Sequence, residues 1–130
     1  MNQMEKIESK IAKSAKEIVM EFLTACERKD FKSARAYLSD NVSYVGPTGM
    51  GSFDKAEPYL KYLEHLELPK SEIKKVFVDG DDVCVLHELN FDTLPAPMFV
   101  CTWYRVNGGK ISSIKVVFDP LPYLEEQRSR

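Results

Sequence analysis

The hydrophobic period of this sequence changes once, and that change constrains the fold more than any other feature. Before Pro69, apolar residues recur at three- and four-residue spacing; after it, they alternate. The first pattern is one face of a helix and the second is one face of a strand. Helices gathered at the start and strands at the end predict an α+β fold, not an alternating α/β one.

Ile7, Ile11, Ala15, Ile18, Phe22 and Cys26 form such a stripe, widened by Val19 and Leu23 and uninterrupted by Gly or Pro. It predicts one long amphipathic helix from residue 5 to about 28. Asp30 is placed to cap a short second helix, since a carboxylate accepts from the free N–H groups of a first turn. Phe31, Ala34 and Leu38 are its expected buried face, and Ser39-Asp40-Asn41 its expected stop. Residues 42–45 read as a short strand and 46–51 as a loop. Ser52 is expected to cap a third helical stretch to about residue 66. Pro58 should interrupt it and restart it, because proline has no N–H to donate.

Four strands follow, over residues 72–78, 83–91, 98–106 and 110–118. Asp79-Gly80-Asp81 and Asn107-Gly108-Gly109 join two pairs of them as hairpins. Pro120 and Pro122 end the sheet, with a last helical turn expected over 121–127. The order fits a curved antiparallel sheet wrapped by N-terminal helices into a cone, one domain spanning residues 1–130.

Charge excludes some functions. Eighteen basic against 20 acidic residues leave a net charge of -2, without the basic excess that phosphate contacts require, so no nucleic-acid partner is expected. Lys10, Lys13 and Lys16 alternate with Glu5, Glu8, Glu17 and Glu21, the pattern of a solvated helix face. Cys26, Cys84 and Cys101 are odd in number, lack a C-x-x-C pair and lie in apolar segments, which predicts buried free thiols. No ligand spacing for a metal is present, and no cofactor is implied. The first twenty residues are too charged for a signal peptide, and no apolar run approaches the length of a membrane span. A cytoplasmic protein without membrane contact is the expectation.

Three stretches carry a resemblance: Phe22-Leu23-Thr24-Ala25-Cys26-Glu27-Arg28-Lys29-Asp30-Phe31, Tyr37-Leu38-Ser39-Asp40-Asn41-Val42-Ser43-Tyr44-Val45-Gly46-Pro47, and Trp103-Tyr104-Arg105-Val106-Asn107-Gly108-Gly109-Lys110-Ile111. In order and spacing the chain resembles the nuclear transport factor two-like superfamily, on its SnoaL-like and ketosteroid isomerase side. The resemblance implies a cone holding one pocket. It also tests the isomerase chemistry. The positions matching that enzyme's aspartate base, tyrosine donor and protonated aspartate are Gly46, Phe22 and Thr102. None has a group of suitable pKa for proton transfer, so isomerase activity of that type is not expected.

The same resemblance sets strand facing. Val42, Tyr44, Met98, Val100, Thr102, Tyr104, Ile114, Val116 and Phe118 would point into the cone. Cys101, Trp103, Arg105 and Val117 would face outward, where superfamily members pair, which implies a homodimer; Trp103 lining the pocket is the alternative. Phe22, Tyr44, Tyr59, Thr102, Tyr104 and Phe118 are the candidate ligand-binding set, with Tyr62 and Phe53 beside them, because tyrosines offer an apolar face and a polar tip. His87 is either a hydrogen-bonded core histidine or an acid/base, paired with Tyr44 or Tyr104. Asp119 is either a turn former or a rim carboxylate. Three functions remain open: a small hydrophobic ligand bound in an apolar, tyrosine-edged pocket without catalysis, a lyase or isomerase using His87, and a dimeric interaction module with a filled cone.

Overall fold

The computed structural model describes residues 13–47, 51–66 and 71–121, with Glu125 and Arg128. Helix α1 is Ala15–Glu27, α2 is Phe31–Arg35, and strand β1 is Leu38–Val45. Strand β2 is Ser52–Phe53, helix α3 is Ala56–His65, and β3 to β6 are Ser71–Asp79, Asp82–Leu89, Met98–Asn107 and Lys110–Val117. The strands form one open sheet in the order β2-β1-β6-β5-β4-β3. It is antiparallel at every pairing but one, since β1 and β6 run parallel. Helix α1 packs on β4, β5 and β6, and α3 on β1 and β2, so helices cover the inner face and the fold is α+β.

Helix α1, the first among the described residues, starts later than its apolar stripe suggests. Ser14 is its N-cap: the Ser14 hydroxyl accepts from the Glu17 N–H while the Glu17 carboxylate accepts from the Ser14 N–H. This reciprocal box fixes a start, and the stripe hides it because Ser14 lies off the apolar face. The expected helical residues 5–12 lie outside the described residues.

Asp30 caps α2 as expected, accepting from the Ser33 N–H. Leu38, however, opens β1 rather than closing the helix, and Ser39-Asp40-Asn41 lie inside that strand. The β1–β6 register explains this. Leu38 pairs with Ile111 and the next pair is Ser43 with Ser113, so the turn-forming residues sit in a bulge. Arg35 fastens the corner, donating to the Leu38 carbonyl oxygen and to the Asp40 and Glu57 carboxylates.

Two expectations for the third helix fail together. Ser52 is no cap: Ser52 and Phe53 pair with Val45 and Tyr44 as the short strand β2. Pro58 causes no break, because α3 starts at Ala56 and places it in the first turn, where backbone N–H groups have no partner within the helix.

The inner face follows the predicted parity. Val42, Tyr44, Met98, Val100, Thr102, Tyr104 and Ile114 are buried. A bulge between β5 and β6 pairs Arg105 with Ser113 but Val106 with Ile111, which lets Ile111 and Ile114, three residues apart, both turn inward. Phe118 lies just past the end of β6, half-buried against Leu89, Met98 and Val100. The helical turn expected over 121–127 falls largely outside the described residues.

The outer face carries an apolar stripe. Phe77, Cys84, Trp103, Lys115 and Val45 form one row across the sheet, and Leu86, Cys101 and Val117 form the next. Phe77 is 55% exposed, Phe99 54%, Trp103 41% and Val117 66%. Trp103 is held by two neighbours: its indole N–H donates to Asp82 at 2.9 Å, and the Lys115 ammonium lies 5.0 Å from its ring centroid.

Candidate functional site

The inner face divides into an aromatic end and a mixed end. At the aromatic end, β1, β2 and α3 bring four rings together. Tyr44 stacks on Tyr59 at 4.8 Å between centroids, with Phe53 at 6.0 Å and Tyr62 at 5.7 Å from Tyr44. Tyr44 is inward by strand parity, and Tyr59 by the α3 face that also buries Ala56 and Leu60. Tyr104 meets Phe22 edge-to-face at 6.3 Å. Burial raises the Tyr44, Tyr59 and Tyr104 hydroxyls above the ordinary tyrosine value, with the Tyr62 hydroxyl adding to the shift at Tyr44. These phenols are therefore neutral hydrogen-bonding groups and not bases. Cys26 lies beside Tyr59 and Tyr104, its thiol pushed up to about 12 by burial.

At the mixed end, His87 projects from β4 between two hydroxyls. Its Nε2 is 3.1 Å from Thr102 Oγ1 on β5, and its Nδ1 is 3.0 Å from Ser71 Oγ on β3. Thr102 is the one buried residue outside the apolar and tyrosine set among the described residues. Burial lowers the His87 pKa below its usual value, so the ring is neutral at neutral pH. One ring nitrogen then donates to a hydroxyl and the other accepts from one, and the hydroxyls can take either role. Next to this pair lies a small apolar cluster of Leu89, Met98 and Val100, with Phe91, Leu94, Val116 and Phe118 against it.

Ser71 is the partner that sequence reasoning missed. Counting back from the turn at Gly80 puts Lys74 opposite His87 and Ser71 on the outer face. A bulge at Lys74 shifts the register, so Ile73 stands opposite His87 and Ser71 opposite Leu89, on the inner side. No residue type in that strand announces the bulge. Neither Tyr44 nor Tyr104 is hydrogen-bonded to His87: its two ring nitrogens face Ser71 and Thr102.

The remaining candidates are placed plainly. Gly46 carries no side chain, and its N–H donates to the Gly51 carbonyl oxygen. Asp119 caps its own turn, accepting from the Leu121 N–H, and also edges a surface hollow of about 280 Å³ with Leu94, Pro95, Pro97, Met98 and Phe99. A second hollow, of about 360 Å³, lies outside the sheet between α1 and α2, lined by Met20, Glu21, Thr24, Arg28, Asp30 and Tyr37. Among the described residues, no three His, Cys, Asp or Glu side chains gather as a metal site. No helix among them is long and apolar enough to cross a membrane.

This architecture has many solved relatives. An NTF2-like protein from Cytophaga hutchinsonii is 29% identical with a TM-score of 0.76, the match covering 85% of this chain and 95% of that one. An LEH-like epoxide hydrolase from M. tuberculosis is 22% identical at a TM-score of 0.70, covering 88% and 90%. An NTF2-like protein from Burkholderia pseudomallei is 17% identical at 0.73, covering 85% and 95%. The fold is thus NTF2-like. The SnoaL-like domain model matches residues 19–114, and the chain belongs to that family. Among curated proteins, none matches the sequence.

Proposed function

We propose that the chain binds a small, uncharged, largely apolar molecule on the inner face of its sheet and pairs through the outer face. The observation that carries the reading is the His87–Thr102 contact: a half-buried neutral imidazole and a buried hydroxyl set among apolar side chains. Ligand pockets are mostly apolar with a few placed polar groups. The ligand's polar atom would meet His87 and Thr102. Its carbon skeleton would lie along Val100, Val116 and Phe118.

The test is extraction of freshly purified, denatured protein into organic solvent, read by mass spectrometry. One uncharged compound at near-stoichiometric yield is the expected result. A protein that comes out empty, and whose thermal midpoint is unmoved by a panel of apolar alcohols, ketones and arenes, overturns it.

The catalytic reading retains one supporting feature, a neutral imidazole beside a buried hydroxyl, which is the arrangement of a general base. Recovery of the extracted compound in altered form after incubation, abolished in His87→Gln, would favour it over simple binding.

A further inference from the structure

The two hydroxyls that flank His87 differ in reach. Thr102 Oγ1 lies 3.1 Å from Nε2 and is buried inside the sheet. Ser71 Oγ lies 3.0 Å from Nδ1 and is exposed at the start of β3. The bulge at Lys74 creates this placement. With Ile73 opposite His87, Ser71 falls opposite Leu89, a diagonal neighbour of His87 on the same face. Among the described strands β3 is the outermost at its end of the sheet, so a molecule reaches Ser71 from solvent without parting any strands. Ser71 is also an unhindered primary alcohol, whereas Thr102 is secondary and β-branched. An accessible hydroxyl on one ring nitrogen and a buried orienting group on the other make the arrangement of an activated nucleophile.

We propose that Ser71 is a nucleophile, activated by His87 and oriented through Thr102, that takes the acyl group of a small uncharged ester. The proposal rests on the inner-face binding reading and names the substrate class of that site. In the productive tautomer the Nε2–H donates to Thr102 and Nδ1 accepts from Ser71. Ser71 Oγ attacks the ester carbonyl carbon, and its proton passes to Nδ1. The carbonyl π pair moves to oxygen, where backbone N–H groups on the free edge of β3 are available to it. That pair returns, the C–O bond to the alcohol breaks, and the leaving alcohol takes the proton from Nδ1. Water then attacks the acyl carbon, His87 takes its proton, and the Ser71 oxygen leaves with that proton. One ester and one water become one acid and one alcohol. The acyl chain would lie on Leu89, opposite Ser71, and on the adjoining Met98 and Val100. A hydroxyl stands where a carboxylate would stabilise the imidazolium, so turnover is slow and the acyl-serine is the species to read.

The experiment mixes native full-length protein with p-nitrophenyl butyrate at neutral pH, follows p-nitrophenolate release, and maps the butyryl group by peptide mass spectrometry. The expected result is a burst of p-nitrophenolate matched by a butyryl group on Ser71. Ser71→Ala should abolish the burst, and His87→Gln should slow it by about 10²–10⁴-fold. Thr102→Val should slow it as well, with Thr102→Ser restoring the rate because it keeps the orienting hydroxyl. Wild-type protein butyrylated only on lysines, or a Ser71→Ala variant with an undiminished burst, overturns the proposal. An uncleavable ketone, butyrophenone, separates this failure from failure of the binding reading. A thermal midpoint raised by the ketone, without acyl-Ser71 from the ester, removes the nucleophile and leaves the binding site standing. The acyl group is located on the wild-type chain, so the conclusion requires no variant to fold.

Discussion

Thr102 and His87 show how much one contact can fix. Thr102→Val keeps the shape but leaves Nε2 facing a methyl group. The expected cost is about 1–3 kcal/mol, the penalty for a buried polar atom left unpaired. In the Thr102→Val background, His87→Ala should cost less than it does alone, with a coupling of about 1 kcal/mol in a urea-denaturation double-mutant cycle. pH reports the same pair. Burial lowers the folded-state pKa of His87 from 6.5, so below about pH 6.5 the unfolded chain binds the proton first. Stability is therefore unaffected by this group above that pH and falls as pH drops through the window down to the folded-state value. His87→Gln should flatten that slope, and the imidazole NMR titration gives the shifted midpoint directly. At this scale the sequence was half legible. Inward parity placed Thr102 and Tyr104 correctly, because alternation allows only two choices. A tyrosine partner for His87 was not borne out by the hydrogen bonds, because strand register decides which hydroxyl comes near, and a bulge decided the register.

Helix boundaries depend on chemistry that an apolar stripe does not record. Ser14→Ala removes one half of a capping box, and a cost of about 1 kcal/mol is expected in the urea midpoint. Pro58→Ala should change stability by no more than about 1 kcal/mol, in contrast to the roughly 3 kcal/mol difference that proline makes in a helix interior. The proline occupies the first turn of α3, where its missing N–H costs no hydrogen bond. A Pro58→Ala variant stabilised by several kcal/mol would show that the helix truly starts upstream. Both hairpins were readable because Gly80 and Gly108 adopt positive φ, at 60° and 61°, which few other residues accept. The β2 strand was not readable, because two residues give no periodicity. Nor was the first half of β1, whose Ser-Asp-Asn sequence is turn-forming in isolation and is held extended by Arg35 and by the distant β6.

For the whole molecule, the outer stripe is the feature least suited to an isolated chain. Contiguous exposed apolar rows on a small protein mark contact surfaces, and the stripe runs across five adjoining strands. Val117→Glu should leave the circular dichroism spectrum unchanged, since the side chain is two-thirds exposed within the protomer. If two copies pair there, the variant should sediment as a monomer at concentrations where the wild type is a dimer. Wild-type protein that is monomeric at those concentrations removes the pairing. The α+β class was legible from the change of period alone, and the burial of inward residues from parity. The parallel union of β1 with β6 was not, since nothing local to either strand names a partner some seventy residues away. That union has a consequence for synthesis. The strand formed by residues 38–45 leaves the ribosome early, yet its neighbour β6 is the last of the described strands to be made. Until then β1 and the β2 and α3 segments behind it have only one another and the preceding helices, an exposed edge in a half-built molecule. The sheet is sealed from its end back to its beginning, and a chain that stops short of residue 110 has no means of sealing it.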